Sequence, residues 1–185
     1  MELFYTVTSQ EGAAQSKPEL SLGGFCSSSK VPNDVLGNLF SEVSAYSLQN
    51  PKKEYIGIIL KNTLGSISSL GFWMNVPEGS LCKFRMSVVE LTGDGQMEMV
   101  PSVNSKPLYA EFYETSEQDP IELQFETPFE VGSMLGIWVE RSIDVQSDEY
   151  SKRNNCDFLY QMFTKGETWP VQEEAELKIE FQYAE

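Results

Sequence analysis

Residues 174–183 alternate strictly: Leu177, Ile179, Phe181 and Tyr183 fall on one face, and Glu174, Glu176, Lys178, Glu180 and Gln182 on the other. A period of two does not make an amphipathic helix; it makes an antiparallel strand packed on a core from one side. The same period runs through 120–126, where Ile121, Leu123 and Phe125 oppose Glu122, Gln124 and Glu126. It returns at 81–91, with Cys82, Phe84, Met86 and Val88 inward and Lys83, Arg85 and Ser87 outward. Tyr55 to Leu60 and Met134 to Val139 are continuous apolar runs suited to more deeply buried, central strands, and Gly136 in the second marks a close approach or a bulge. Residues 70–76 and 108–114 supply two aromatic strands, around Phe72-Trp73 and Tyr109 to Tyr113. Turn chemistry separates the runs at 75–79, Asp119-Pro120 and Thr127-Pro128, and Thr92 to Gln96 reads as a hairpin. Seven or eight short strands so spaced predict an all-β chain, an antiparallel β-sandwich of Ig-like or jelly-roll-like type.

Two segments depart from the rhythm. Leu36, Leu39, Phe40 and Val43 recur at helical spacing behind Asn33 or Asp34 as N-cap, which predicts one short helix despite Gly37. Residues 145–175 form a polar insertion, with Phe158 to Phe163 inside it readable as helix or strand. A long polar insertion is a common place for binding and equally a plain crossover. At the start, Leu3-Phe4-Tyr5-Thr6-Val7-Thr8 has strong β-propensity and precedes a small, polar, linker-like run over 9–18. The expected organisation is therefore a strand-and-linker arm over 1–30 and a sandwich domain over 31–185. Such an arm pairs either with its own sheet or with a neighbour's edge, and the second option makes Leu3, Phe4, Tyr5 and Val7 candidate interface residues. On that reading, removal of residues 1–10 blocks assembly and leaves a folded monomer.

Composition narrows the chemistry. The 185 residues include no histidine, which excludes Ser-His-Asp and Cys-His nucleophile systems and His-ligated metals. Paired carboxylates remain possible, but with 28 acidic residues no single pair is distinguished, and no catalytic residue, cofactor or metal is expected. Asp94, Asp119, Asp144, Asp148, Glu149 and Asp157 lie in turn-like stretches where calcium would bind, yet no EF-hand spacing is present and turn aspartates commonly just stabilise turns. The net charge of -15 argues against sequence-specific nucleic-acid binding. It is divided unevenly: residues 1–92 carry 8 acids and 7 bases, and residues 93–185 carry 20 acids and 6 bases. Cys26, Cys82 and Cys156 form no C-x-x-C pair and read as buried thiols in a reducing compartment. Met1 to Tyr5 lack a signal-peptide n-region, and no apolar run is long enough for a membrane helix, so a soluble protein made in the cytoplasm is expected.

Trp73 and Trp138 sit in apolar runs and read as core; Trp169, followed by Pro170, reads as outward or interfacial. Together the tryptophans admit a carbohydrate- or host-surface-binding sandwich as an alternative function. Four phrases, in order, carry a resemblance: Leu22-Gly23-Gly24-Phe25-Cys26-Ser27-Ser28-Ser29-Lys30-Val31-Pro32-Asn33, Leu39-Phe40-Ser41-Glu42-Val43-Ser44, Glu54-Tyr55-Ile56-Gly57-Ile58-Ile59-Leu60-Lys61-Asn62 and Gly132-Ser133-Met134-Leu135-Gly136-Ile137-Trp138-Val139-Glu140-Arg141. So phrased, the chain resembles small structural proteins of tailed bacteriophages, of the crAss-like and related gut phages, over roughly residues 20–143. The resemblance implies a non-enzymatic virion subunit with a β-sandwich core, built into the tail or neck ring region or the capsid surface. Its partners would be other virion proteins and copies of itself, in a homo-oligomer, with no membrane contact.

Overall fold

The computed structural model describes residues 1–33, 37–40, 52–76, 82–143 and 176–184. Among them are eight strands: β1 (Glu2–Val7), β2 (Phe25–Lys30), β3 (Lys52–Lys61), β4 (Ile67–Asn75), β5 (Cys82–Val89), β6 (Ile121–Phe129), β7 (Met134–Ile143) and β8 (Glu176–Tyr183). They form two antiparallel sheets, one ordered β2-β1-β3-β7-β5 and the other β6-β4-β8. The alternating runs of the sequence thus become β5, β6 and β8, and the two continuous apolar runs become β3 and β7.

The sheets share one apolar interior. Ile56, Ile58 and Leu60 of β3, Leu135, Ile137 and Val139 of β7, and Phe84 and Met86 of β5 meet Leu70, Phe72 and Met74 of β4, with Leu123, Phe125, Leu177 and Ile179 closing the small sheet's side. Burial of apolar area on this scale is the main term favouring the folded chain. A second core lies on the other face of the large sheet, where Tyr55, Ile59 and Trp138 are roofed by Met97, Val100 and Ala110. β3 and β7 are apolar throughout their middles because both their faces are covered. Gly57 lies opposite Trp138 in the ladder, and a Cβ there would come within 3.2 Å of the indole, so the missing side chain makes room for the ring.

β1 is not an arm. It lies between β2 and β3, with ladders on both sides, and Tyr5 and Val7 are buried while Leu3 and Phe4 are half-buried. Both hydrogen-bonding edges of the strand are used within its own sheet, so none is left for a neighbour. Nor is the 9–18 run a leash. Gly12 N–H donates to the Cys26 carbonyl at 2.9 Å, Ser28 N–H to the Ala13 carbonyl at 3.2 Å, and Gln15 N–H to Ser27 Oγ at 3.0 Å, which seals the outer edge of β2. A buried hydroxyl set ties the segment down: Thr6 N–H donates to Ser21 Oγ at 2.8 Å, and Ser21 Oγ donates to the Gly57 carbonyl at 2.6 Å.

Three smaller expectations also change. Residues 108–114 form no strand; Ala110 and Phe112 turn into the second core, and Tyr113 makes only an isolated bridge to Met86 on the edge of β5. Thr92 to Gln96 is a turn closed by a Thr92 N–H to Gln96 carbonyl bond of 2.9 Å, but Met97 then bridges to Gly24 and does not return along β5. The helix expected near 33–43 lies mostly outside the described residues, and residues 37–40 form a turn and bend; the described residues hold one 3-10 turn, Pro18–Leu20. The insertion at 145–175, with Trp169, lies outside the described residues as well.

The roof over the second core depends on a backbone crossing at Gly23, which has φ 88° and where a Cβ would sit 1.8 Å from the Glu98 carbonyl oxygen. Gly23→Ala is expected to cost more than about 3 kcal/mol, since left-handed backbone strain adds to a clash that no side-chain motion relieves. Gly95 has φ 78° with nothing within 4 Å of a built Cβ. There the same change should cost only about 1–2 kcal/mol. Urea denaturation of both variants checks this, and equal losses would show that the 98–100 segment does not lie against Gly23.

Candidate functional site

The outer face of the small sheet is built by alternation on its three strands. Leu70, Phe72 and Met74 of β4 point into the core, which sends Ser69, Gly71, Trp73 and Asn75 to the opposite face. Likewise Ile121, Leu123 and Phe125 point inward and Glu122, Gln124 and Glu126 outward; on β8, Leu177 and Ile179 point inward and Lys178, Glu180 and Gln182 outward. The ladder aligns these side chains into rows. Gln124, Ser69 and Gln182 make one row, Glu122, Gly71 and Glu180 the next, and Trp73 with Lys178 the third.

The middle row has a gap at its centre. Gly71 carries no side chain, and a Cβ built there meets only the Glu180 Cβ, at 3.8 Å. Glu122 and Glu180, each opposite Gly71, therefore stand two strand spacings apart, about 10 Å, across an open furrow. Trp73 borders the furrow on one side and the Gln-Ser-Gln row on the other. Ser69 is 8% exposed, and among the described residues neither its hydroxyl nor the indole N–H of half-buried Trp73 has a hydrogen-bond partner. The side chains of Glu122, Gln124, Glu180 and Gln182 are exposed and likewise unengaged. The face thus offers an aromatic ring, hydroxyl and amide donors and two carboxylate acceptors, none of them satisfied from within.

A second polar constellation lies at one end of the large sheet. Glu140 is fully buried on its outer face, where its Oε1 accepts from Arg85 Nε at 2.7 Å and pairs with Arg85 Nη2 at 2.6 Å and Lys53 Nζ at 3.4 Å. Its Oε2 has no hydrogen-bond partner among the described residues. Burial pushes the Glu140 carboxyl up, but Arg85, Tyr55 and Lys53 outweigh it and hold the group below the usual carboxylate value. Burial, reinforced by the Glu140 charge, pushes the Tyr55 phenol up to about 12. A carboxylate held ionised beside a phenol held neutral passes no proton between the two near neutrality. The next residue, Arg141, points to the opposite face and pairs with Glu54 through both Nε and Nη2.

The residues singled out in the sequence are scattered. Leu3, Phe4, Tyr5 and Val7 belong to an interior strand, Trp138 to the second core, and Trp169 lies outside the described residues. Trp73, expected in the core, is on the outer face instead, because the inward positions of β4 are taken by Leu70, Phe72 and Met74. Asp94 sits in its turn with hydrogen bonds from Thr92 and Gln96, and the Asp119 N–H donates within a turn to the Ser116 carbonyl; Asp144, Asp148, Glu149 and Asp157 are outside the described residues. Among the described residues no three acidic or cysteine side chains gather as a metal set. The furrow residues Glu122, Gln124, Glu180 and Gln182 went unmarked in the sequence as a site; only the ladder register brings them beside Trp73. No protein-family model matches the chain, and neither a curated protein nor a solved structure matches it.

Proposed function

We propose that the chain is a non-enzymatic structural subunit that works in several copies, as in the virions of tailed phages. The observation that carries this reading is the unequal treatment of sheet edges. In the large sheet the chain lays residues 12–15 along β2 and bridges β5 once, from Tyr113 to Met86. In the small sheet β6 and β8 are outermost and have no strand beyond them among the described residues. Open edges are templates for strand addition, and proteins ordinarily cover those they do not use. Contact between copies is therefore assigned to β6 and β8 in place of β1. The resemblance read from the four sequence phrases suggests the setting, a virion, with other virion proteins as neighbours. The locked Glu140–Tyr55 pair fits a protein that acts by contact. Native mass measurement on the full chain is expected to find one defined multimer of the 20.9 kDa subunit. A monomer at every concentration up to the solubility limit would overturn the proposal.

A further inference from the structure

We propose that the outer face of the small sheet, centred on Trp73, binds an uncharged saccharide chain. A pyranose ring has a flat C–H face and a rim of hydroxyls, each both donor and acceptor. Trp73 provides a flat apolar surface for the first, with its indole N–H free at the edge. The rim needs mixed donors and acceptors at sugar-like spacing, and the rows of the ladder repeat about every 7 Å along the strands. Gln124 and Gln182 offer both kinds of group, Glu122 and Glu180 accept, and the Ser69 hydroxyl between the two amides adds a donor and acceptors.

Charge selects the kind of saccharide. Glu122, Glu126 and Glu180 outnumber Lys178 on this face, so uronates, sialylated or sulfated chains are repelled. The furrow at Gly71 gives a bound ring somewhere to sit: any larger residue would fill the space between the carboxylates. The inference goes beyond the structural reading but is compatible with it, placing a recognition surface on the sheet whose edges serve assembly.

The test uses the full chain and three probes: cellohexaose, hexa-N-acetylchitohexaose and hexagalacturonate, by isothermal titration calorimetry. One of the two neutral probes is expected to bind at submillimolar concentration, and the uronate not at all. Trp73→Ala should weaken binding at least about tenfold, which is 1.4 kcal/mol. Since removal of a half-buried tryptophan can also disturb the fold, Gly71→Val is the decisive variant. Its side chain has room, Gly71 does not have a left-handed φ, and valine favours strands, so the domain should keep or gain stability while binding is lost. Failure of both neutral probes, equal binding by Gly71→Val, or equal binding of the uronate would overturn the inference. Native mass on the same samples separates the two proposals: a multimer that ignores sugar sinks this one alone, and a monomer that binds sugar sinks the structural reading alone.

Discussion

A chain that begins at residue 11 is expected to be unfolded, not a folded monomer deprived of its assembly strand. Deleting residues 1–10 removes an interior strand of the large sheet, and with it the ladder to β3 from Glu2↔Lys61 to Tyr5↔Ile58. β2, which borders only β1, loses its neighbour and its place in the sheet. Tyr5, 2% exposed, leaves a hole in the main core, a loss of about 3–5 kcal/mol for an aromatic side chain by itself. The hydroxyl set around Ser21 loses Thr6, so buried polar groups over Gly57 are stranded. Together these exceed the roughly 5–15 kcal/mol by which a domain of this kind is stable. Far-ultraviolet circular dichroism and a thermal melt would show the loss of a cooperative transition. Because the vacated slot is a strand-shaped gap between two ladders, a synthetic peptide of residues 1–10 added in excess should restore part of the β signal. A truncated chain that melts cooperatively within a few degrees of the parent would mean that β1 is dispensable after all.

The error about β1 shows what a sequence can and cannot convey here. The strand itself was legible, since Leu3 to Val7 have the right side chains; its position was not, since ladder partners are chosen by backbone groups common to all residues. The run over 9–18 looked like a linker for the same reason: Gly12 and Ala13 fasten it to β2 through main-chain atoms. Trp73 is a different case. The signal was present in Ser69, Gly71 and Asn75, which share its parity and are not apolar, while Leu70, Phe72 and Met74 hold the other parity. Reading 70–76 as one apolar block hid the alternation. For Trp138 the block reading was right, because the second core covers the other face of β7. The uneven charge also gains a location: β6 and β8, the flanks of the candidate face, both come from the acidic second half. The rows across that face, however, arise from strands some 50 and 110 residues from Trp73 in the chain, and no local pattern reports such a register.

Replacing Glu54 with alanine should destabilise the domain by about 3–5 kcal/mol, the range seen when one member of a buried ion pair is removed. Glu54 and Arg141 face each other directly in the β3–β7 ladder, and both are only 4% exposed. The guanidinium also lies over the Phe40 ring, 4.7 Å from its centroid, on a residue with little access to water. Removing the carboxylate that Nε and Nη2 address takes away the opposite charge that faces the guanidinium across the ladder. Glu140→Ala should cost less, because Arg85, its main partner, is 31% exposed and can be rehydrated. Exchanging both members, Glu54→Leu with Arg141→Met, should recover most of the loss, since a well-packed apolar pair replaces two dehydrated charges. The same pair governs the acid limb. Burial raises the Glu54 carboxyl, but Arg141 and Lys52 outweigh it and bring it below its ordinary 4.5. A carboxyl whose folded value is depressed contributes fully above its unfolded value and ceases to do so as pH falls through the folded one. Stability should therefore be flat above about pH 5 and fall below pH 4, with a shallower fall in the Leu–Met double variant, where one of the depressed carboxyls is gone. Urea denaturation between pH 3 and 7 measures both effects. A Glu54→Ala protein within 1 kcal/mol of the parent at pH 7, with an unchanged acid limb, would show that the guanidinium is solvated and that this end of the sandwich is open to water.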